Sequence, residues 1–139
     1  MSLAAIPSGQ SVLVDANVLL YHATRASIEA SDFLGRCGKG DLIGVVTSVV
    51  VAEFCHRRMM LEASQAGLTG SNPARTLAQR PDSVRSLSRY RDEVRDLFDG
   101  GLVFEPVLQE DFLLGLELQR RHGLLANDSL NLAAAGRLA

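Results

Sequence analysis

Three acidic residues stand where a chain of this kind can use them chemically: Asp15 in "VLVDANVLLYH", Glu53 in "TSVVVAEFCHR" and Asp128 in "HGLLANDSLNLAAA". Taken singly, each has an ordinary structural explanation. Asp15 and Asp128 can cap the helices that follow them, and Glu53 can lie on a solvated helix face. Glu53, however, sits in the apolar run "VVVAEFC". A carboxylate buried there without compensation is costly, so it needs a cation or a hydrogen-bond partner. Other catalytic patterns are missing. There is no GxSxG elbow, no GxxxxGK[ST] phosphate loop and no recognisable Cys and His hydrolase pairing. His22, His56 and His122 lack HExxH or any other metal spacing and read as surface or packing residues.

The elements that must position these acids can be read from hydrophobic period and punctuation. Val12, Leu13 and Val14 form a short continuous apolar run, as expected of a strand covered on both faces, and the run ends at Asp15. Helical spacing follows from Asn17, and Ser27 can cap a second helix that Gly38 and Gly40 stop. A second strand spans Leu42 to Val46, with Thr47 and Ser48 supplying N-cap chemistry for a helix carrying Glu53 and Arg57. Residues 67–80 read as a connection with one helical turn after Asn72-Pro73. A single helix is expected from Pro81 to Asp99, then a third strand at Leu102–Phe104 and a helix from Glu110 to Gly123. The last helix is expected to be capped by Asn127 or Asp128 and to pack through Leu130, Leu132, Ala133 and Ala135. Alternating short strands and helices predict an α/β fold, a three-layer sandwich with a central parallel sheet. In such sheets ligands bind beyond the carboxyl ends of the strands, where all three acids fall.

Composition bounds the rest. At 139 residues, 47% of them hydrophobic and 22% charged, the chain has the length and apolar content of one folded domain. We read residues 1–10 as a tail and 11–139 as the domain, with an Arg-rich helical insertion around 68–98. A formal charge of -2 gives no global attraction to nucleic acid or an anionic membrane, so phosphate binding has to be local. No apolar run approaches the ~20 residues a bilayer requires, and "MSLAAIPSGQ" lacks a secretory signal, so no membrane association and a cytoplasmic location are expected. Cys37 and Cys55 form no CxxC and suit free thiols in a reducing compartment.

The three acidic segments, together spanning nearly the whole chain, resemble the motifs of the PIN-domain family. The resemblance is strongest in Asp15 followed by Asn17 after a strand, Thr47 six residues before Glu53, and Asp128 opening an alanine-rich helix. It implies a metal-dependent ribonuclease in which Asp15, Glu53 and Asp128 form the catalytic metal site for Mg²⁺ or Mn²⁺, with Asn17 and Thr47 orienting them. Many bacterial members resemble the toxin halves of VapBC toxin–antitoxin pairs, so an RNA substrate, a protein antitoxin and a homodimer are the implied partners. The family's pattern adds a fourth acid on a strand after the last motif helix. The sequence stops at Ala139 inside that helix, so this strand is expected to be missing from a truncated chain.

Thirteen of the fourteen basic residues are Arg. Arg75, Arg80, Arg85, Arg89, Arg91 and Arg95 cluster in the insertion, and Arg85 and Arg89 are candidates for contacting an RNA backbone. The competing explanation is a solvated face laced by pairs such as Arg89 with Glu93 and Asp92 with Arg95. With no Trp, two Tyr and five Phe, no base-stacking platform is evident. The alternative to a nuclease is a catalytically silent PIN-like module that binds RNA or protein while its acids merely cap helices.

Overall fold

β2 (Ile43–Thr47) is the centre of a three-stranded parallel sheet, between β1 (Ser11–Leu13) and β3 (Val103–Glu105). These are features of a computed structural model that describes residues 2–138. Leu13 lies opposite Val45 and Val45 opposite Val103, which brings the carboxyl ends of the strands to one edge. Four of the five β2 residues are buried, as a central strand of a covered parallel sheet requires. Gly44 is needed there: a Cβ at this position would stand 2.7 Å from Leu102 Cδ2 and 2.8 Å from Cys37 Sγ. The α/β class and the parallel sheet therefore agree with the sequence pattern.

α1 (Ala16–Ala23) and α2 (Ile28–Gly38) follow β1, and α3 (Ser48–Gln65) follows β2. Ser27 caps α2 by accepting from the Ala30 amide, as expected. The main core gathers Val14, Leu19, Phe33, Leu42, Val46, Val50 and Phe54 between the sheet and these helices. Residues 2–6 of the expected tail are tied to the domain. A short 3-10 helix at Leu3–Ala5 is held by Glu29, whose carboxylate accepts from Ser2 Oγ and the Leu3 amide at 2.5 Å each, while Leu3 and Ile6 pack on the core.

The insertion contains α4 (Pro73–Ala78), α5 (Pro81–Ser86) and α6 (Arg89–Asp99), and forms a second small core of Leu77 and Leu87 against Ala63 of α3. The single helix expected from Pro81 to Asp99 is broken at Leu87-Ser88. The cause lies on α3: Glu62, only 8% exposed, accepts hydrogen bonds from the amides of Ser88, Arg89 and Tyr90 and so caps α6 from outside its own sequence. Beside it Arg58 holds Glu93 through two hydrogen bonds, one of them 2.6 Å, so Glu93 is not the partner of Arg89. The Asp92–Arg95 pair does form, at 3.3 Å.

α7 (Gln109–His122) ends at Gly123, whose φ of +67° suits glycine, and α8 (Ala126–Gly136) packs along it. Gly115 permits the close approach: a Cβ there would meet Ser129 Oγ at 3.2 Å. Leu125, not Asn127 or Asp128, occupies the N-cap of α8, and Asp128 lies inside the first turn. Leu130, Ala133 and Ala134 form the buried face, whereas Leu132 is 49% exposed. Among the described residues no strand follows α8, and no helix is long and apolar enough to cross a membrane.

Burial pushes the Glu62 carboxyl up, but the Ser88, Tyr90 and Arg89 amides outweigh it and hold the group below its ordinary value. A lowered carboxyl contributes stability above the unfolded-state value and loses it as pH falls. Glu62→Gln keeps the shape but turns an NH₂ toward one of the amides, so it should cost about 1–2 kcal/mol at neutral pH. Denaturant unfolding should show that gap narrowing as pH falls through and below the ordinary glutamate range.

Candidate functional site

The carboxyl edge of the sheet is built by strand-to-helix junctions. At the first, the chain leaves β1 and Asp15 caps α1: Oδ1 accepts from the Ala16 amide at 2.8 Å and Oδ2 from Asn17 Nδ2 at 3.1 Å. At the second, Thr47 ends β2 and caps α3, its buried hydroxyl accepting from the Val50 amide and donating to Asn131 Oδ1 at 2.5 Å. Asn131 is one turn beyond Asp128 on α8, so Thr47 ties the sheet to the helix that carries the third acid. Ser48 extends the junction by accepting from the Val107 amide at 2.9 Å.

Asp15 and Asp128 line one cleft of about 200 Å³, together with Asn131, Val14, Val50 and Leu132. Glu53 does not line it. Half-buried on α3, Glu53 faces Arg57 one turn later, with Oε1 3.8 Å from Nη1. Arg57 Nη1 in turn donates to Asn17 Oδ1 at 2.9 Å. A chain of polar contacts therefore runs from Asp15 through Asn17 and Arg57 to Glu53. The partner that Glu53 requires is thus supplied by the protein. Sequence reasoning placed Arg57 on the helix with Glu53 but gave it no role at the site, and it passed over Asn131, although the i,i+4 spacing to Glu53 and the i,i+3 spacing to Asp128 were the available signals.

Among the described residues no three of His, Cys, Asp and Glu are grouped closely enough to hold a metal ion. The structure joins two of the three expected ligands, not all of them. The two carboxylates lining the cleft nonetheless supply oxygen donors, and Mg²⁺ takes one or two carboxylates while keeping several waters. Asp15 and Asp128 fit that demand without Glu53.

Glu105, opposite Thr47 in the register, is another acid of this edge, but it accepts from Arg137 Nη1 at 2.6 Å. The same guanidinium grips the buried Asp111 at 2.7 and 2.9 Å. Arg137 holds the Asp111 carboxyl below its usual value, and Asp111 correspondingly raises Arg137. That network fastens the end of α8 to the start of α7 and takes Glu105 out of the chemistry. Arg85 and Arg89 are not at the cleft either. Arg85 pairs with Asp82 on the exposed α5, and Arg89 Nη2 donates to Gln65 at 2.8 Å. His22 bonds Ser31 Oγ at 2.8 Å, beside a larger groove of about 720 Å³ floored by Leu19, Leu34, Phe54 and Leu97.

Fold and cleft define a parallel α/β domain with a carboxylate-lined site at the carboxyl edge of its sheet. No known family and no curated protein matches the chain.

Thr47→Val removes the hydroxyl that serves both α3 and Asn131 in a fully buried position, and it orphans a cap amide. The expected loss is about 2 kcal/mol, with Thr47→Ser losing less. Chemical denaturation of the two variants against the parent measures it.

Proposed function

We propose that this chain is a PIN-like, metal-dependent endoribonuclease of three-layer α/β form, acting as the toxin of a toxin–antitoxin pair in the cytoplasm. The observation that carries the reading is that Asp15 and Asp128 line one cleft at the carboxyl edge, with Asn17 bonded to Asp15 and Asn131 lining the cleft beside them. Asp15 and Asp128 would hold Mg²⁺ or Mn²⁺, with Glu53 held in reserve beside Arg57. When bound, such an ion supplies a water acidic enough to attack phosphorus and positive charge that offsets the charge growing on the phosphoryl oxygens. The chain's own share is orientation. Capping α1 fixes one oxygen of Asp15 and Asn17 Nδ2 fixes the other, while Thr47 holds Asn131 beside Asp128.

Other features support the partners. The groove floored by Leu19, Leu34, Phe54 and Leu97 suits apolar side chains of an antitoxin. On α7, Phe112, Leu113 and Leu116 are each more than half exposed, a surface that a second copy in a homodimer would cover. The free thiols of Cys37 and Cys55 suit a reducing compartment. The second reading, a silent binding module, draws on the Glu53–Arg57 contact, which satisfies the acid without a metal.

Purified protein should cleave RNA with Mg²⁺ or Mn²⁺, stop in EDTA and recover when metal returns; EDTA-resistant cleavage free of contaminating nuclease would rule the reading out. Asp15→Asn separates it from the silent module. Asn still caps a helix, so the fold should persist, and removing one of two carboxylates on a shared cleft relieves whatever repulsion they exert on each other. Without metal the variant should melt at or above the parent temperature. It should gain less stability from Mn²⁺ and lose about 100-fold or more in cleavage. An undiminished Mn²⁺ shift in the melting curve would remove Asp15 from the metal site.

A further inference from the structure

Several arginines are matched by a hydrogen-bonded carboxylate, among them Arg36 by Asp41, Arg58 by Glu93, Arg120 by Glu117 and Arg137 by Asp111. Arg89 and Arg91 bond neutral groups within the insertion and its contact with α3, away from the cleft. Arg57 also bonds a neutral group, one that links it to the cleft acid Asp15. Its one hydrogen bond among the described residues goes to the neutral amide oxygen of Asn17, and Glu53, at 3.8 Å, is beyond hydrogen-bond distance. The side chain is 48% exposed. A guanidinium has five N–H donors in a fixed fork, so among the described residues most of its donors make no hydrogen bond, and its charge is only loosely offset. It is also one amide group away from Asp15, because Asn17 bonds both residues.

That placement answers a problem of the cleft. Asp15 and Asp128 repel any phosphodiester that approaches them, and a chain of net charge -2 has no general field to overcome this. A cation oriented by a neutral group keeps its attraction for an incoming anion, whereas one locked to a carboxylate does not. We propose that Arg57 binds a phosphate of the RNA backbone next to the cleft, with Asn17 aiming it and Glu53 holding it in place until RNA arrives. The proposal rests on the ribonuclease reading of the cleft and assigns substrate binding to a residue outside the expected motif set. It also replaces Arg85 and Arg89 as the site of phosphate contact.

The test is the affinity of a labelled single-stranded RNA oligonucleotide, measured by fluorescence anisotropy in EDTA across a salt series. The parent, Arg57→Gln, Arg57→Lys and the double variant Arg85→Gln/Arg89→Gln are compared. Arg57→Gln should weaken binding about tenfold and lower the slope of log affinity against log salt by about 0.7, the share of one phosphate on a single strand. Arg57→Lys should keep the slope and part of the affinity. The double variant should bind as the parent does. Mn²⁺ should still raise the melting temperature of Arg57→Gln. Equal affinity and slope in Arg57→Gln would overturn the proposal. So would loss of the Mn²⁺ shift together with RNA binding, since Arg57 would then only be supporting the acids. A parent that binds no RNA defeats the ribonuclease reading and this inference together. A parent that binds but does not cleave with metal defeats the ribonuclease reading alone, because the EDTA measurement still reports on Arg57.

Discussion

The Thr47 hydroxyl joins three layers of this molecule. It ends the central strand, caps the longest helix and reaches across to α8, and it does so with no exposure to water. A buried hydroxyl must have its partners, because leaving either side unsatisfied costs on the order of 1–3 kcal/mol. That demand fixes Asn131, one turn beyond Asp128 on α8, and Asp128 and Asp15 line the same cleft. The carboxylate pair therefore rests on packing at β2. Neither acid has to be held by the other, which matters for two groups that repel.

Charge is managed differently in the two halves of the fold. At the α3–α6 contact and along α7 and α8, guanidinium groups are matched to carboxylates and do structural work. Glu62 and Arg58 on neighbouring positions of α3 take opposite roles, one capping α6 with its carboxylate and the other gripping Glu93. Arg137 draws Glu105 and Asp111 into a single clamp. At the carboxyl edge the pattern changes. Asp15 is met by an amide and a backbone N–H, and Arg57 by an amide, so charge of both signs remains open to solvent there.

Local chemistry was legible in the sequence, and remote chemistry was not. The Ser27 and Thr47 caps and the stop at Gly123 rest on groups within four residues of the backbone they serve and stand as read, while each strand is found one residue away from its expected apolar run. The expected cap at Asp128 failed because two leucines precede it and α8 starts earlier, at Leu125, with no side chain in the capping role. The unbroken helix from Pro81 failed because its apolar period continues across Leu87, while the break is imposed by Glu62, 26 residues away from Ser88. The first ten residues read as a tail because Glu29, their anchor, is equally distant. For the candidate site, Asp15 and Asp128 share a cleft as their positions at the strand ends implied, whereas Glu53 turned to a partner on its own helix.

That turn of Glu53 has a physical logic. A carboxylate in an apolar run can be stabilised by a fixed cation on its own helix or by a mobile one from solution, and the i,i+4 arginine is present whether or not metal arrives. At 3.8 Å the contact is looser than the 2.6 Å bonds that Arg58 and Arg137 make to their acids, so Glu53 is held but not consumed. A tight pair would have closed the edge permanently, and no pair would have left a half-buried charge uncompensated. The intermediate separation offsets the half-buried charge on its own helix, and under the proposed function it would leave Glu53 and Arg57 free to exchange each other for an incoming cation and an incoming phosphate.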